Sequence, residues 1–317
     1  LRITKPLTLC GLNAQLPEKL GDMPLLVVEA NNVTLSDFEL YGNIDSVSQD
    51  VRAPLILIHA DQFKVEHGEL INSSKEGISI IGNDENEIFH GGVVRDIVGR
   101  GNGRDVVSVD GDNVKQFRHV LIENIQCYES PYRGAVEVTD GSENITVRKI
   151  YTEDSLYAVD VQDHGAPRKS NHNIVIEDVY AQDCRYGVRT ALKPRGHSSL
   201  TLRDITANRC YKTIRINDID NVLIQNIRTE HPLEQTSPVH IYNCTGITLR
   251  DSVFIDYQNK ESAVLIENCN QVLVDHVRMS GNSSPETIAL VYRLTVPGSY
   301  VGLQITNLYT PPSIDVG

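Results

Sequence analysis

Tryptophan is missing from these 317 residues, and methionine (2) and phenylalanine (5) are scarce, which leaves tyrosine (13) as the main aromatic. No apolar run approaches the ~18 residues of a membrane-spanning helix, so membrane insertion is excluded as an expectation. A basic excess is also lacking. Lys and Arg number 29 against 42 Asp and Glu, a net charge of −13. Bulk electrostatics therefore argues against nucleic acid and anionic membrane surfaces as partners. The six cysteines contain no Cys-x-x-Cys pair, which removes support for a zinc site. No linker or low-complexity stretch interrupts the chain, so residues 1–317 are expected to form one domain. No secretory leader is visible. Leu1 enters in the middle of a strand-like segment, so the chain is expected to start inside a longer protein and the missing leader excludes nothing.

What the chain has is repetition. A unit of the form apolar-x-apolar-x-polar-Asn/Asp-apolar returns about ten times, as in Val120-Leu-Ile-Glu-Asn-Ile125, Ile174-Val-Ile-Glu-Asp-Val179, Leu200-Thr-Leu-Arg-Asp-Ile205 and Val222-Leu-Ile-Gln-Asn-Ile227. Weaker copies include Phe63-Lys-Val65, Ile88-Phe-His90 and Leu303-Gln-Ile305. The spacing, roughly 22–32 residues, is that of solenoids and arrays. A second short strand lies inside each repeat: Val106-Val-Ser-Val109, Ala135-Val-Glu-Val138, Ala158-Val-Asp-Val161, Thr213-Ile-Arg-Ile216. Two or three strands per repeat, Asn/Asp/Gly turns and no helical pattern fit neither a leucine-rich repeat nor a four-stranded propeller blade. They predict an all-β parallel β-helix of ten to twelve rungs, with strands stacked ~4.8 Å apart.

The unit small–Gly–Ile–x–Ile, followed by Asn–x–Ile–x–Ile–x–Asn–x–Ile, resembles the right-handed parallel β-helix repeat of the pectin-lyase-like superfamily over nearly the whole chain. That resemblance implies the fold and a carbohydrate context. It does not choose among the lyases, glycoside hydrolases, uronate epimerases, tailspikes and structural rods that share the fold.

Alternation places Val136, Val138, Val159, Val161, Ile214, Ile216 and Ile266 inside and the residues between them outside. Rung by rung, the first outward column reads Leu57, Ser79, Ser108, Glu137, Asp160, Arg189, Arg215, His240, Leu265, with the charged members expected on the solvent side. A second column reads His59, Ile81, Asp110, Thr139, Gln162, Ala191, Asn217, Tyr242, Glu267. Charge gathers at the middle of the solenoid, beside lengthened turns carrying Tyr132 and Arg133, Asp163 and His164, and Lys193. Asp140, Asp218, Asn243 and Asn268 read as a ladder of side chains hydrogen-bonding between rungs. Cys184 with Cys210, and Cys244 with Cys269, fall in register on neighbouring rungs, as buried thiols or as rung-to-rung disulfides.

Five ionisable residues on consecutive rungs point to chemistry, and the resemblance implies that its substrate is a polysaccharide. In the first reading the chain is a lyase or C5-epimerase on a uronic-acid glycan. Glu137, Asp160, His164, Arg189, Arg215 and His240 are its catalytic candidates, and Tyr132, Arg133, Lys193, Tyr242 and Asp110 its substrate-binding ones. Arg189 and Arg215 grip the uronate carboxylate, or Asp163 with Glu137 and Asp160 holds a Ca²⁺ that does so. In the second reading Glu137 and Asp160, one rung apart, form the pair of a retaining glycoside hydrolase or a glycosyl transferase. A third reading is a non-catalytic glycan-binding or structural rod of tailspike or adhesin type. All three place the protein outside the cell, at its surface or in the periplasm.

The stretch Tyr157-Ala-Val-Asp160-Val-Gln-Asp-His164 is similar to the Tyr-Gly-x-Asp-Pro-His motif of alginate C5-epimerases. Tyr157 and Asp160 match it, Ala158 and Val161 depart from it, and the histidine arrives two residues late. The resemblance implies a base role for His164. The Asn-Thr-Asp, Gly-His-Gly and Arg-Ile-Lys signatures of polygalacturonase-type hydrolases are absent.

Overall fold

A computed structural model describes residues 1–17, 23–46, 52–82, 89–111, 117–166, 168–233, 236–257, 261–281, 288–298 and 300–309. Ile88 of one weak repeat copy lies outside them. Short strands form one twelve-stranded sheet and longer strands a thirteen-stranded one. In both, each strand pairs in parallel with its counterpart one turn on, the pattern of a β-solenoid of about ten turns. Among the described residues the only helix is a 3-10 turn at Ile44–Ser46, and no helix is long and apolar enough to cross a membrane.

The alternation expected from sequence holds. Val136, Val138, Val159, Val161, Val188, Ile214, Ile216, Val239, Ile241 and Ile266 are all fully buried. They meet Val120, Ile122, Ile145, Val147, Ile174, Ile176, Leu200 and Leu202 from the long-strand sheet in one continuous apolar core. Burial on this scale is what stabilises a parallel sheet.

The Asn/Asp of the repeat has a conformational cause. Asn124, Asp178, Asp204, Asn226 and Asp251 occupy the same position on their rungs, and each has φ between 54° and 57°. The long strand turns a corner there through one left-handed residue, a conformation that Asn and Asp tolerate best among residues with a side chain. Asp140, Asp218, Asn243 and Asn268 form a second such corner, with φ of 51–56°. The expected ladder is therefore primarily a column of left-handed turns. Asp140 and Asn268 do bond to the next rung, at His164 and Thr295, but Asp218 bonds to its own neighbour Asn217. All six cysteines are free thiols: Cys10 is exposed and the other five are buried.

Candidate active site

The outward column has the predicted register. Ser79, Ser108, Glu137, Asp160, Arg189, Arg215, His240 and Leu265 are successive pairing partners on the short-strand sheet. Solvent contact differs from expectation. Glu137 is 2% exposed and Asp160 is not exposed at all. Both point away from the apolar core, yet a layer of arginines and a tyrosine covers them.

Arg133, carried on the turn before strand Gly134–Thr139, is the hub of that layer. Its Nη1 donates to Glu137 Oε1 (2.7 Å), Gln162 Oε1 (2.8 Å) and Tyr157 OH (3.3 Å). Arg104 bridges Glu76 (2.9 Å) and Glu137 (3.5 Å), and Ser108 Oγ donates to Glu137 Oε2 (3.2 Å). Arg189 donates from Nε and Nη2 to the two oxygens of Asp160, and its guanidinium lies 4.9 Å from the Tyr157 ring centre and 5.4 Å from that of Tyr186. Tyr157 itself is buried and donates to Asp105 Oδ1 at 2.8 Å. Gly134 makes room for this reach: a Cβ there would sit 2.7 Å from Tyr157 Cδ2 and 1.7 Å from its carbonyl oxygen.

The hydrolase pair is thus sealed. Each carboxylate is held by at least one arginine, and neither meets a ligand without displacing it. The Ca²⁺ set is not assembled either. Asp163 turns to a different network, accepting from Arg195, from Gly165 N (2.9 Å) and, at 3.3 Å, from His197 Nε2. His197 Nδ1 accepts from Asn171 N (3.0 Å), so its proton sits on Nε2, facing Asp163. Burial pushes this imidazole down despite the adjacent carboxylate. Arg195 also donates to the carbonyl of Arg168, so Asp163 fastens the turn that carries His164 and Arg168. Among the described residues, no group of three His, Cys, Asp or Glu is placed to hold a metal ion.

His164 is positioned for proton transfer. Gln162 Oε1 accepts from Arg133, so its amide nitrogen faces His164 Nε2 at 2.9 Å and can only donate. Nε2 is therefore the acceptor, and Nδ1–H donates to Asp140 Oδ2 at 2.5 Å. The fully buried Asp140 also accepts from the His164 backbone N–H (2.9 Å) and from Arg168. Burial opposes ionisation of Asp140, but the bonds from His164 and Arg168 outweigh it and hold the carboxyl below its usual range. Asp140, Gln162 and Arg104 were not among the candidate site residues of the sequence, whereas Arg168 lies in the lengthened turn that drew attention there. The signal that pointed to Asp140 was its turn position, which said nothing of its partner.

The remaining candidates spread along the face. Arg215 stacks on Tyr242 (5.2 Å), donates to its hydroxyl, and has no carboxylate partner among the described residues. Burial pushes the Tyr242 phenol up. His240 Nε2 meets Glu267 at 2.6 Å, and burial pushes the imidazole down. Tyr132 is exposed at the edge, its ring 5.5 Å from the Arg52 guanidinium. Lys193 is exposed and its backbone N–H donates to Asp163, while Asp110 lies 3.8 Å from Arg168.

The fold defines the class: a right-handed parallel β-helix. No family model and no curated protein matches the chain. Among solved structures, the A-module of the mannuronan C-5 epimerase AlgE4 of Azotobacter vinelandii is similar with a TM-score of 0.69 at 14% identity, covering 95% of this chain and 84% of that one. The AlgE6 A-module from the same organism gives 0.50 at 12% identity, covering 96% and 83%. The catalytic domain of a GH87 α-1,3-glucanase in complex with nigerose gives 0.62 at 10% identity; 94% of this chain is covered but only 62% of the glucanase domain. At such identities the likeness is one of fold.

Proposed function

We propose that the protein acts on a uronic-acid-containing polysaccharide, extracellular or periplasmic, as a C5-epimerase or lyase. The observation that carries this reading is the assembly of His164. An imidazole with its Nδ1–H on a buried carboxylate and its Nε2 lone pair accepting from the Gln162 amide is a general base held in one tautomer. It stands beside a cation, Arg133, linked to it through Gln162. The likeness to a mannuronan C-5 epimerase module supports the same class.

The chemistry follows from the residues. The Nη1 of Arg133 is committed to protein acceptors, which leaves Nε and Nη2 to meet the substrate's carboxylate. Neutralising that carboxylate acidifies the C5 proton, and His164 Nε2 takes it after displacing the Gln162 amide. Arg215, three rungs along from Arg133, holds a second carboxylate of the same chain. The Tyr242 phenol, which keeps its proton, is the donor nearest that arginine. Return of a proton to the opposite face gives the epimer, and departure of the O4 substituent gives the unsaturated product.

A screen of alginate, pectate, glycosaminoglycans and neutral glycans tests the reading. Ultraviolet absorbance of a 4,5-unsaturated uronate marks a lyase, and exchange of the C5 hydrogen with solvent deuterium without chain cleavage marks an epimerase. His164→Gln is expected to lower either rate by about 10²–10⁴-fold. Chelation of Ca²⁺ is expected to leave turnover unchanged, because arginines supply the charge. Reducing ends released from a neutral glycan without either signal would overturn the proposal, as would binding without turnover on every glycan.

A further inference from the structure

Beneath the arginine layer lies a carboxyl that the proposed chemistry does not use. Asp105 sits two residues before strand Val107–Asp110. Extending the pairing of Ile78, Val107 and Val136 by two residues puts Glu76, Asp105 and Gly134 on one column. Tyr157 is the next member and spans the side-chain gap at Gly134 to reach Asp105. Asp105 has no exposed surface, and its Oδ2 is buried without a hydrogen-bond partner among the described residues. Three arginines of the layer, Arg104, Arg133 and Arg189, already pair with three carboxylates, those of Glu76, Glu137 and Asp160.

We propose that Asp105 is a positioning residue of the cleft: a neutral carboxyl that keeps the arginine layer from being over-neutralised, so that Arg133 retains charge for an anionic sugar. This rests on the uronate reading given above. The groups facing Asp105 are Glu137, Arg133, Arg104, Tyr157 and Cys127, with Glu76 on the preceding rung of its column. Burial raises the Asp105 carboxyl well above the usual range, the Glu137 charge raises it further, and Arg133, the Tyr157 hydroxyl and Arg104 act in the opposite direction. Cys127 contributes no charge, its thiol being pushed up to about 12 by burial. An unpaired carboxylate oxygen in a dry site is costly, and holding a proton removes most of that cost. If Asp105 ionised, a fourth anion would compete with the substrate for Arg133. Binding an anionic sugar should therefore favour the protonated form, so affinity and proton uptake are linked.

The experiment has two arms. Difference infrared spectroscopy of Asp105→Asn against the parent protein reads the protonated carboxyl directly, without substrate. Calorimetry with alginate and pectate hexamers, in two buffers of different ionisation enthalpy across a pH series, reads proton uptake. The parent should show a protonated-carboxyl band at neutral pH that the variant lacks. Its affinity should then fall by up to about tenfold per pH unit once Asp105 ionises. In Asp105→Asn that fall should vanish. Tyr157→Phe removes the bond to Oδ1, so the fall should move to higher pH. It serves as the second probe should Asp105→Asn not fold. Absence of the band overturns the proposal, and so does an identical pH dependence in parent and variants. A band without binding of either hexamer removes the uronate reading and the substrate role of Asp105 with it. Absence of the band with intact binding removes the Asp105 proposal alone.

Discussion

On the long-strand face Arg203 reaches one rung back to Glu177, with side chains 45% and 24% exposed; on the cleft face Arg189 reaches one rung back to Asp160, with 17% and 0%. The two pairs share residue types, direction and rung offset, and they sit on neighbouring turns. The difference lies in what surrounds them. Around Arg203 there is water, and its pair is screened and contributes little. Around Arg189 there are the rings of Tyr157 and Tyr186 and a second arginine bound to Glu137. The cleft pair is thus desolvated, and each partner is needed to keep the other from being an uncompensated buried charge. Stacking rungs produces cross-rung ion pairs on every face. Only where side chains from an adjoining turn fold over them do they become a rigid, oriented set of cations.

The largest test of this contrast is a pair of double-mutant cycles. Arg189→Ala leaves the buried Asp160 without its hydrogen-bonded partner and with only Arg133, 4.0 Å away, and should cost about 3–5 kcal/mol. Adding Asp160→Asn should recover much of that loss, because the orphaned charge goes with it. Arg203→Ala should shift the denaturation midpoint hardly at all, with or without Glu177→Gln. Equal losses in the two cycles, by chemical denaturation, would show that the cover over Asp160 does not desolvate it. Activity should separate the cycles as well: the rescued cleft variant stays impaired, having lost a cation, and the surface variants keep full turnover.

A second comparison lies within the cleft and is read by pH. Asp140 is held below the usual carboxylate range by His164 and Arg168, so the unfolded chain binds its proton more readily than the native one. Its contribution to stability is present above the unfolded value near ~3.9 and is lost as pH falls through the lower native one. Asp105 has the opposite sign. The native state keeps its proton while the unfolded chain releases it, so stability declines as pH rises above ~3.9 toward the raised native value. Asp140→Asn should therefore flatten the acid limb of the stability profile, and Asp105→Asn should raise stability at neutral pH and flatten the decline. Unfolding curves between acid and neutral pH check both. Parallel profiles for the two variants would erase the distinction between a paired and an unpaired buried carboxyl.

The register of the cleft was legible because period-two alternation and paired valines leave a strand only one way to face. Val136 and Val138 inside put Glu137 outside, and every neighbouring rung repeats the argument. Exposure was not legible. Whether an outward residue meets water depends on side chains arriving from turns, and nothing in the spacing of Arg104 or Arg133 says which way a long flexible chain folds. The partner of His164 was hidden for a related reason. Asp140 reads as one of a series with Asp218, Asn243 and Asn268, and its left-handed backbone explains it fully. Its meeting with His164 depends on where the next rung's turn, fastened by Asp163, Arg195 and His197, sets the imidazole down.

The smallest expected effect separates backbone need from side-chain need at the corner column. Lys149 holds the left-handed position between Asn124 and Asp178, with φ of 56°, and it is neither Asn nor Asp. It reaches Glu123 on the preceding rung at 2.8 Å, and Arg148 competes for the same carboxylate at 3.2 Å. If the column is chosen for conformation, Lys149→Asn should stabilise the protein by less than about 1 kcal/mol, the relief of left-handed strain exceeding the loss of a surface pair that Arg148 replaces. If Lys149 is there for its charge, the variant should be less stable, and Lys149→Met, which keeps the stem without the ammonium, should match that loss. Thermal unfolding of the two variants decides between conformation and charge, and a cost shared by both would mean that this corner is held by its ion pair.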